Sequence, residues 1–199
     1  MNAYLIEGLD RLGKSTLIDG ILNARGFHQV IHYEKPKLLD VYMDPRVVHH
    51  KFLVKPDEKE AAWKQRALEE YQYDSFHAMF AMIQSGAHLI MDRAHLGEMV
   101  YAPLYRKYNG DYVLSLEEEY HVNTCYHAKL ILLTEDFSKS KHFQDDGQSL
   151  GPESARAKEQ ELFINAFERS KFRYKQIVNV TGEDGNFRPK EDILAEVLS

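Results

Sequence analysis

The amino-acid sequence points to an α/β fold: a five-stranded parallel sheet with helices on both faces. Three observations carry this reading. Five short apolar runs recur along the 199 residues, helical segments separate them, and the first run opens directly into a glycine-rich turn that leads into a helix. Runs that are apolar throughout suit strands buried on both faces, and strands separated by helices are joined by right-handed crossovers.

Residues 3–7 (AYLIE) are the first strand, and 15–24 (STLIDGILNA) place Leu17, Ile18, Ile21 and Leu22 on one helical face. A second strand is expected over 28–33 (HQVIHY), after Gly26. A long helix runs over 57–85, with acids at its start and Gly86 at its end. Residues 87–92 (AHLIMD) are the clearest buried strand. The helical region after them breaks around Pro103 and Asn109-Gly110, with another short helix near 116–125. Residues 128–134 (AKLILLT) form the fourth strand. The polar stretch that follows, with two glycines and a proline, is a loop. Residues 154–175 read as helix, 176–180 (QIVNV) as the fifth strand, and 189–199 as a closing helix with Pro189 at its start. No internal repeat or linker interrupts the series, so 1–199 is read as a single domain with a lid loop near 136–151.

Composition narrows the function classes. Hydrophobic residues make up 44% and charged residues 28%, as in an ordinary globular chain. A formal charge of −6, from 25 Lys+Arg against 31 Asp+Glu, argues against a broad nucleic-acid-binding face but leaves room for one nucleotide in a local basic pocket. Cys125 is the only cysteine, which excludes an intramolecular disulfide, fits a reducing cytoplasm, and suits a small core residue. No signal peptide is evident, because Glu7 and Asp10 interrupt the first apolar run. No apolar stretch approaches the roughly 20 residues that cross a bilayer. The expectation is a cytoplasmic protein with no membrane partner.

The chemistry begins at residues 6–16, IEGLDRLGKST, where Gly8, Gly13, Lys14 and Ser15 fit the phosphate-loop spacing G-x-x-x-x-G-K-[ST]. Backbone N–H groups from Leu9 through Leu12 and Gly13 to Ser15 can converge on phosphate oxygens, with Thr16 completing the turn. The following helix adds its positive end. Lys14 supplies a point charge for the β- and γ-phosphates of a nucleotide, and the Ser15 hydroxyl is placed to ligate Mg²⁺. Asp92 ends a buried strand, at the sheet edge where ligands of open α/β folds bind, and can hold Mg²⁺ directly or through water. The alternative is that Asp92 caps the next helix. Arg93 beside it is a planar donor suited to a phosphate. The histidines, His49-His50 and His95 included, lack a convincing zinc-ligand spacing.

IEGLDRLGKST followed by DRAHLGEMVY resembles the thymidylate kinases. Their loop reads E-G-x-D-x-x-G-K-S-T, and a D-R pair after their third strand precedes a Ser and then an Ala-Tyr pair. The match is strong over 4–22 and 89–101, weaker but colinear elsewhere, and most similar to small divergent members encoded by phages. The resemblance implies a P-loop NTPase fold and an ATP- and Mg²⁺-dependent nucleoside monophosphate kinase. Its acceptor would be dTMP or a related C5-substituted dUMP, and its usual state a homodimer. By the same resemblance Asp10 faces the acceptor phosphate and sugar, and Arg11 supplies the catalytic cation from the loop rather than the lid. Arg93 grips the acceptor phosphate, Tyr101 lies near the acceptor sugar, and Lys35 sits where an acceptor-phosphate arginine is common. Spacing back from Asp92 puts Leu68 and Gln72 at the base-stacking and base-reading positions, with Tyr71 and Tyr73 adjacent. Gln72 offers both a donor and an acceptor to a base edge. The chain departs from the family at Gly97, where Ser is usual, and at Ala94, often an aromatic. In the lid loop, Lys139 and Lys141 read as solvated. A deoxynucleoside or DNA 5-hydroxymethyluridine kinase of the same fold is the alternative. A nucleotide-gated regulatory module such as a GTPase would want an N-K-x-D motif, which is absent.

Overall fold

A computed structural model describes residues 1–26, 28–32, 58–106, 108–141 and 153–199. Lys35, most of the expected lid loop and the side chain of Leu68 lie outside the described set. The elements follow in order: strand β1 (Ala3–Gly8), helix α1 (Lys14–Arg25), β2 (Gln29–His32), α2 (Glu58–Gln84), β3 (Leu89–Asp92) and α3 (Leu96–Tyr101). They continue with a π-helical turn (Ala102–Arg106), α4 (Tyr112–Glu119), a 3₁₀ turn (Val122–Thr124), β4 (Ala128–Thr134), α5 (Glu153–Arg169), β5 (Tyr174–Asn179) and α6 (Lys190–Leu198).

All five strands are parallel, in the order β2-β3-β1-β4-β5. β1 lies at the centre, with Ile6 paired to Asp92 on one side and to Ile131 on the other. Its six residues are all buried, as an apolar run in a doubly covered sheet requires. α2 lays Phe76, Met79, Phe80 and Ile83 into the core at helical spacing, each at most 1% exposed. Gly86 turns the chain out of α2 with φ +78°. None of the described helices is long and apolar enough to cross a membrane.

Two elements differ from expectation. The helix read over 154–175 stops at Arg169 because the chain is drawn to a buried carboxylate: Ser170 Oγ donates to Glu117 Oε1 and the Lys171 N–H to Glu117 Oε2, each at 2.6 Å. Phe172 then enters the core and Tyr174 starts β5, two residues before the expected strand. The short helix expected near 116–125 begins earlier, at Tyr112, where Gly110 lets the preceding loop pack on α3: a Cβ there would lie 2.3 Å from the Glu98 carbonyl oxygen. Cys125 is half-buried, with Sγ 3.5 Å from His127 Nε2.

Candidate functional site

The glycine-rich loop leaves the carboxyl end of the central strand. Gly8 has φ +131°, and a Cβ there would lie 2.5 Å from the Leu133 carbonyl oxygen, so only glycine fits. Gly13, at φ +79°, caps the start of α1. Between them Arg11 takes φ +69°, and across the site Arg93 takes φ +66°. For a residue with a Cβ this conformation costs about 1–2 kcal/mol, and such residues concentrate where surroundings hold them for function.

Five side chains meet here. Lys14, 8% exposed, donates from Nζ to the carbonyls of Gly8 (3.0 Å) and Leu9 (2.6 Å) and lies 3.8 Å from Asp10 Oδ1. Burial pushes its pKa below the ordinary lysine value, and the Asp10 carboxylate opposes that shift. The Arg93 guanidinium donates to Asp10 Oδ1, while its backbone N–H extends the sheet to Ile6. Asp92 Oδ2 receives His32 Nδ1 at 2.8 Å, and its Oδ1 is buried with no hydrogen-bond partner among the described residues. Asp92 does not cap α3, whose N-cap residue is His95. Behind the site, buried Glu7 accepts the N–H groups of Ala94 (3.0 Å), Leu96 (2.9 Å) and Gly97 (3.3 Å), fixing the segment that carries Arg93.

A cavity of about 570 Å³ joins these groups to a second set. At one end lie residues 10–17, Asp92 and Arg93; at the other, Phe187, Arg188, Lys190 and Ile193. Sequence reasoning missed the second set and His32. The signal for the former was the turn-rich TGEDGN stretch after the last strand, which folds back through an antiparallel bridge between Thr181 and Phe187. Arg188 is held by the Asn179 carbonyl (2.8 Å) and by Glu196 (2.7 Å).

Of the residues assigned to an acceptor nucleoside, Gln72 and Tyr101 do not line this cavity, but Tyr101 lies close enough to Asp10 and Arg93 for their charges to act on its hydroxyl. Tyr101 is half-buried and donates to Glu159 Oε1 at 2.5 Å; burial first, then that carboxylate, push its pKa above the ordinary tyrosine value. Gln72 is 0% exposed, and neither amide atom has a hydrogen-bond partner among the described residues. Tyr73 faces Tyr112, at 5.8 Å between centroids, in a separate cavity of about 560 Å³ with Glu70 and Asp74, away from the glycine-rich loop. At Gly97 a Cβ would meet the Tyr101 ring at 3.5 Å, an ordinary contact, so packing does not demand the glycine. Ala94 is 2% exposed in the core. Of the lid loop, residues 136–141 are described: Lys139 is partly exposed and pairs with Glu183 at 3.2 Å, and the Lys141 N–H donates to the Gly185 carbonyl.

No protein-family model and no curated protein matches the chain. Solved structures do. The YorR protein of Bacillus subtilis, in complex with phosphorylated GDP, matches with a TM-score of 0.58 at 14% identity, over 98% of this chain and 93% of its own. The thymidylate kinase of Candida albicans matches with a TM-score of 0.57 at 18% identity, over 99% and 89%. That of Ehrlichia chaffeensis gives 0.55 at 11%, over 98% and 96%. At these identities the likeness is one of architecture. The chain shares the α/β fold of these structures, thymidylate kinases among them, built on a five-stranded parallel sheet.

Proposed function

We propose that the chain is an ATP-dependent nucleoside monophosphate kinase that converts dTMP, or a related C5-substituted dUMP, to the diphosphate. The observation that carries this is the Asp10–Arg93 pair at the phosphate end of the cavity. A loop that only holds a nucleotide gains nothing from an acid inside it. Here the acid holds an arginine beside the place where donor phosphates would lie. With side chains 45% and 53% exposed, such a pair is worth about 0–1 kcal/mol. A guanidinium–phosphate bond is worth about 1.5–3 kcal/mol, so an acceptor phosphate can take Arg93 from Asp10.

In this reading Lys14 turns from the loop carbonyls onto the donor phosphates, and Arg11 lies against the transferred group. An acceptor phosphate oxygen attacks the γ-phosphorus, the bond to the β–γ bridging oxygen breaks, and ADP leaves. Asp92 Oδ1, buried with no hydrogen-bond partner among the described residues, and the exposed Ser15 would hold a Mg²⁺ ion, which would neutralise charge on the donor phosphates. Phe187 and Arg188 would border the donor base. By the resemblance Gln72 would read the acceptor base; its amide is fully buried with no hydrogen-bond partner among the described residues, so it would have to turn toward the base to do so. Tyr101 would stand by the sugar, Lys35 and Leu68 would complete the acceptor side, and residues 136–151 would close as a lid. The protein would work in the cytoplasm, as a homodimer.

A coupled ADP-release assay tests this, with MgATP against every common NMP and dNMP, 5-hydroxymethyl-dUMP, thymidine, and DNA containing 5-hydroxymethyluracil. The expected result is fastest turnover with a C5-substituted deoxyuridine monophosphate. Turnover with the nucleoside or the DNA, and with no monophosphate, would overturn the reading in favour of the alternative kinase.

A further inference from the structure

Arg156, in the first turns of α5, is buried and reaches the glycine-rich loop 146 residues away. Both terminal guanidinium nitrogens lie 3.3 Å from the Asp10 carbonyl oxygen, and one also donates to Glu135 Oε1 at 2.6 Å. Glu135 follows β4 directly and is 4% exposed. Its Oε2 accepts from Ser140 Oγ at 2.9 Å. Its backbone N–H donates to Gln160 Oε1 at 2.8 Å, and its carbonyl accepts from Gln160 Nε2 at 2.9 Å. The loop, the end of β4 and α5 therefore share one buried polar node.

The carbonyl that Arg156 holds belongs to the same peptide unit as the Arg11 N–H. Rotating that unit changes φ of Arg11, which sits at +69°, where a residue with a Cβ stays only if surroundings hold it. A guanidinium forked onto the carbonyl opposes the rotation and keeps the oxygen turned toward α5. Rotated the other way, the oxygen would enter a cradle built to present N–H groups to phosphate. We propose that Arg156, oriented by Glu135, is a positioning residue of the nucleotide loop: it holds the Asp10–Arg11 peptide and so sets where Asp10 and Arg11 project. The claim about loop geometry stands by itself; its consequence for turnover rests on the kinase reading.

Amide hydrogen exchange on the full chain tests the geometry without substrate. In Arg156→Ala, amides 9–13 should exchange about tenfold faster while those of β1 and β5 keep their rates. Should that variant fail to fold once Glu135 has lost the guanidinium, Arg156→Gln/Glu135→Gln leaves the node neutral and too short to reach the carbonyl, with the same acceleration expected. Unchanged loop exchange in either folded variant overturns the proposal, because mere docking of α5 would loosen residues 135–141 and the start of α5 and spare the loop. In turnover, kcat should fall about 100-fold, the scale of a displaced catalytic group, with the ATP KM little changed. Wild-type protein that turns over no monophosphate would sink the kinase reading and leave the exchange result to decide this one. Normal wild-type turnover with unmoved loop exchange would sink this proposal alone.

Discussion

Two sets of charged groups in the molecule are treated in opposite ways. At the cavity, Asp10, Arg93 and Lys14 lean on one another and on loop carbonyls, and the Asp10–Arg93 pair is open to water. Behind it, Glu7, Glu98 and Glu117 are each at most 2% exposed. Glu98 is bound by Arg106, Tyr108 and Tyr112. Glu117 is bound by His95, Ser170 and Lys171. Buried charge is tolerated only when its lone pairs are occupied, and breaking such a site costs several times what an exposed pair is worth. The buried set is scaffold because nothing from solvent can compete for it. The cavity set is exchangeable, which is what a site for phosphates needs.

The largest effect should come from the scaffold. Glu117→Ala strands His95 Nε2, which lies 2.6 Å from the carboxylate, together with the Ser170 hydroxyl and the Lys171 N–H. We expect a loss of about 3–5 kcal/mol in urea unfolding. A loss below about 1 kcal/mol would place Glu117 with the exchangeable groups and break the comparison.

The cavity side should respond in kinetics instead. Arg93→Ala removes an exposed pair, so the thermal midpoint should move by no more than about 4 °C. The acceptor KM should rise about 10- to 100-fold, the loss of one charge-assisted phosphate contact. The ATP KM should stay nearly fixed. Equal increases in both would mean that Arg93 serves the donor.

This division explains what could be read in advance. The strands, the phosphate loop and the Asp92-Arg93 pair were legible because each is a local pattern: an apolar run, or glycines at fixed spacing after one. His95 was set aside for want of metal-ligand spacing, and its partner Glu117 lies 22 residues further on, with no periodic signal linking them. Arg156 was invisible for the same reason on a larger scale, since only the crossover topology brings α5 over the loop. Phe187 and Arg188 depend on how a turn folds back after β5. Gln72 was reached by spacing from Asp92, but its complete burial follows from packing that the residue type does not announce.

The smallest expected effect is a pH dependence that separates two acids within the scaffold. Burial raises the pKa of Glu7 above the ordinary 4.5, outweighing the nearby His95 and the three N–H groups that favour its carboxylate. Burial would raise Glu117 too, but the His95 hydrogen bond, with those from Lys171 and Ser170, holds it below 4.5. The signs are therefore opposite. Between 4.5 and the raised value the folded state carries more protons at Glu7 than the unfolded state, so stability falls as pH rises through that window. At Glu117 the unfolded state carries more, so its contribution is present above 4.5 and is lost as pH falls through the folded value. Glu7→Gln keeps a carbonyl oxygen for the N–H bonds now all made to Oε1, and should remove the decline above 4.5. Glu117→Gln should instead flatten the acid limb, each change being at most about 1.4 kcal/mol per pH unit in urea unfolding. If Glu7→Gln leaves the profile above 4.5 untouched, its three N–H bonds already compensate its burial, and Glu7 is as well satisfied as Glu117.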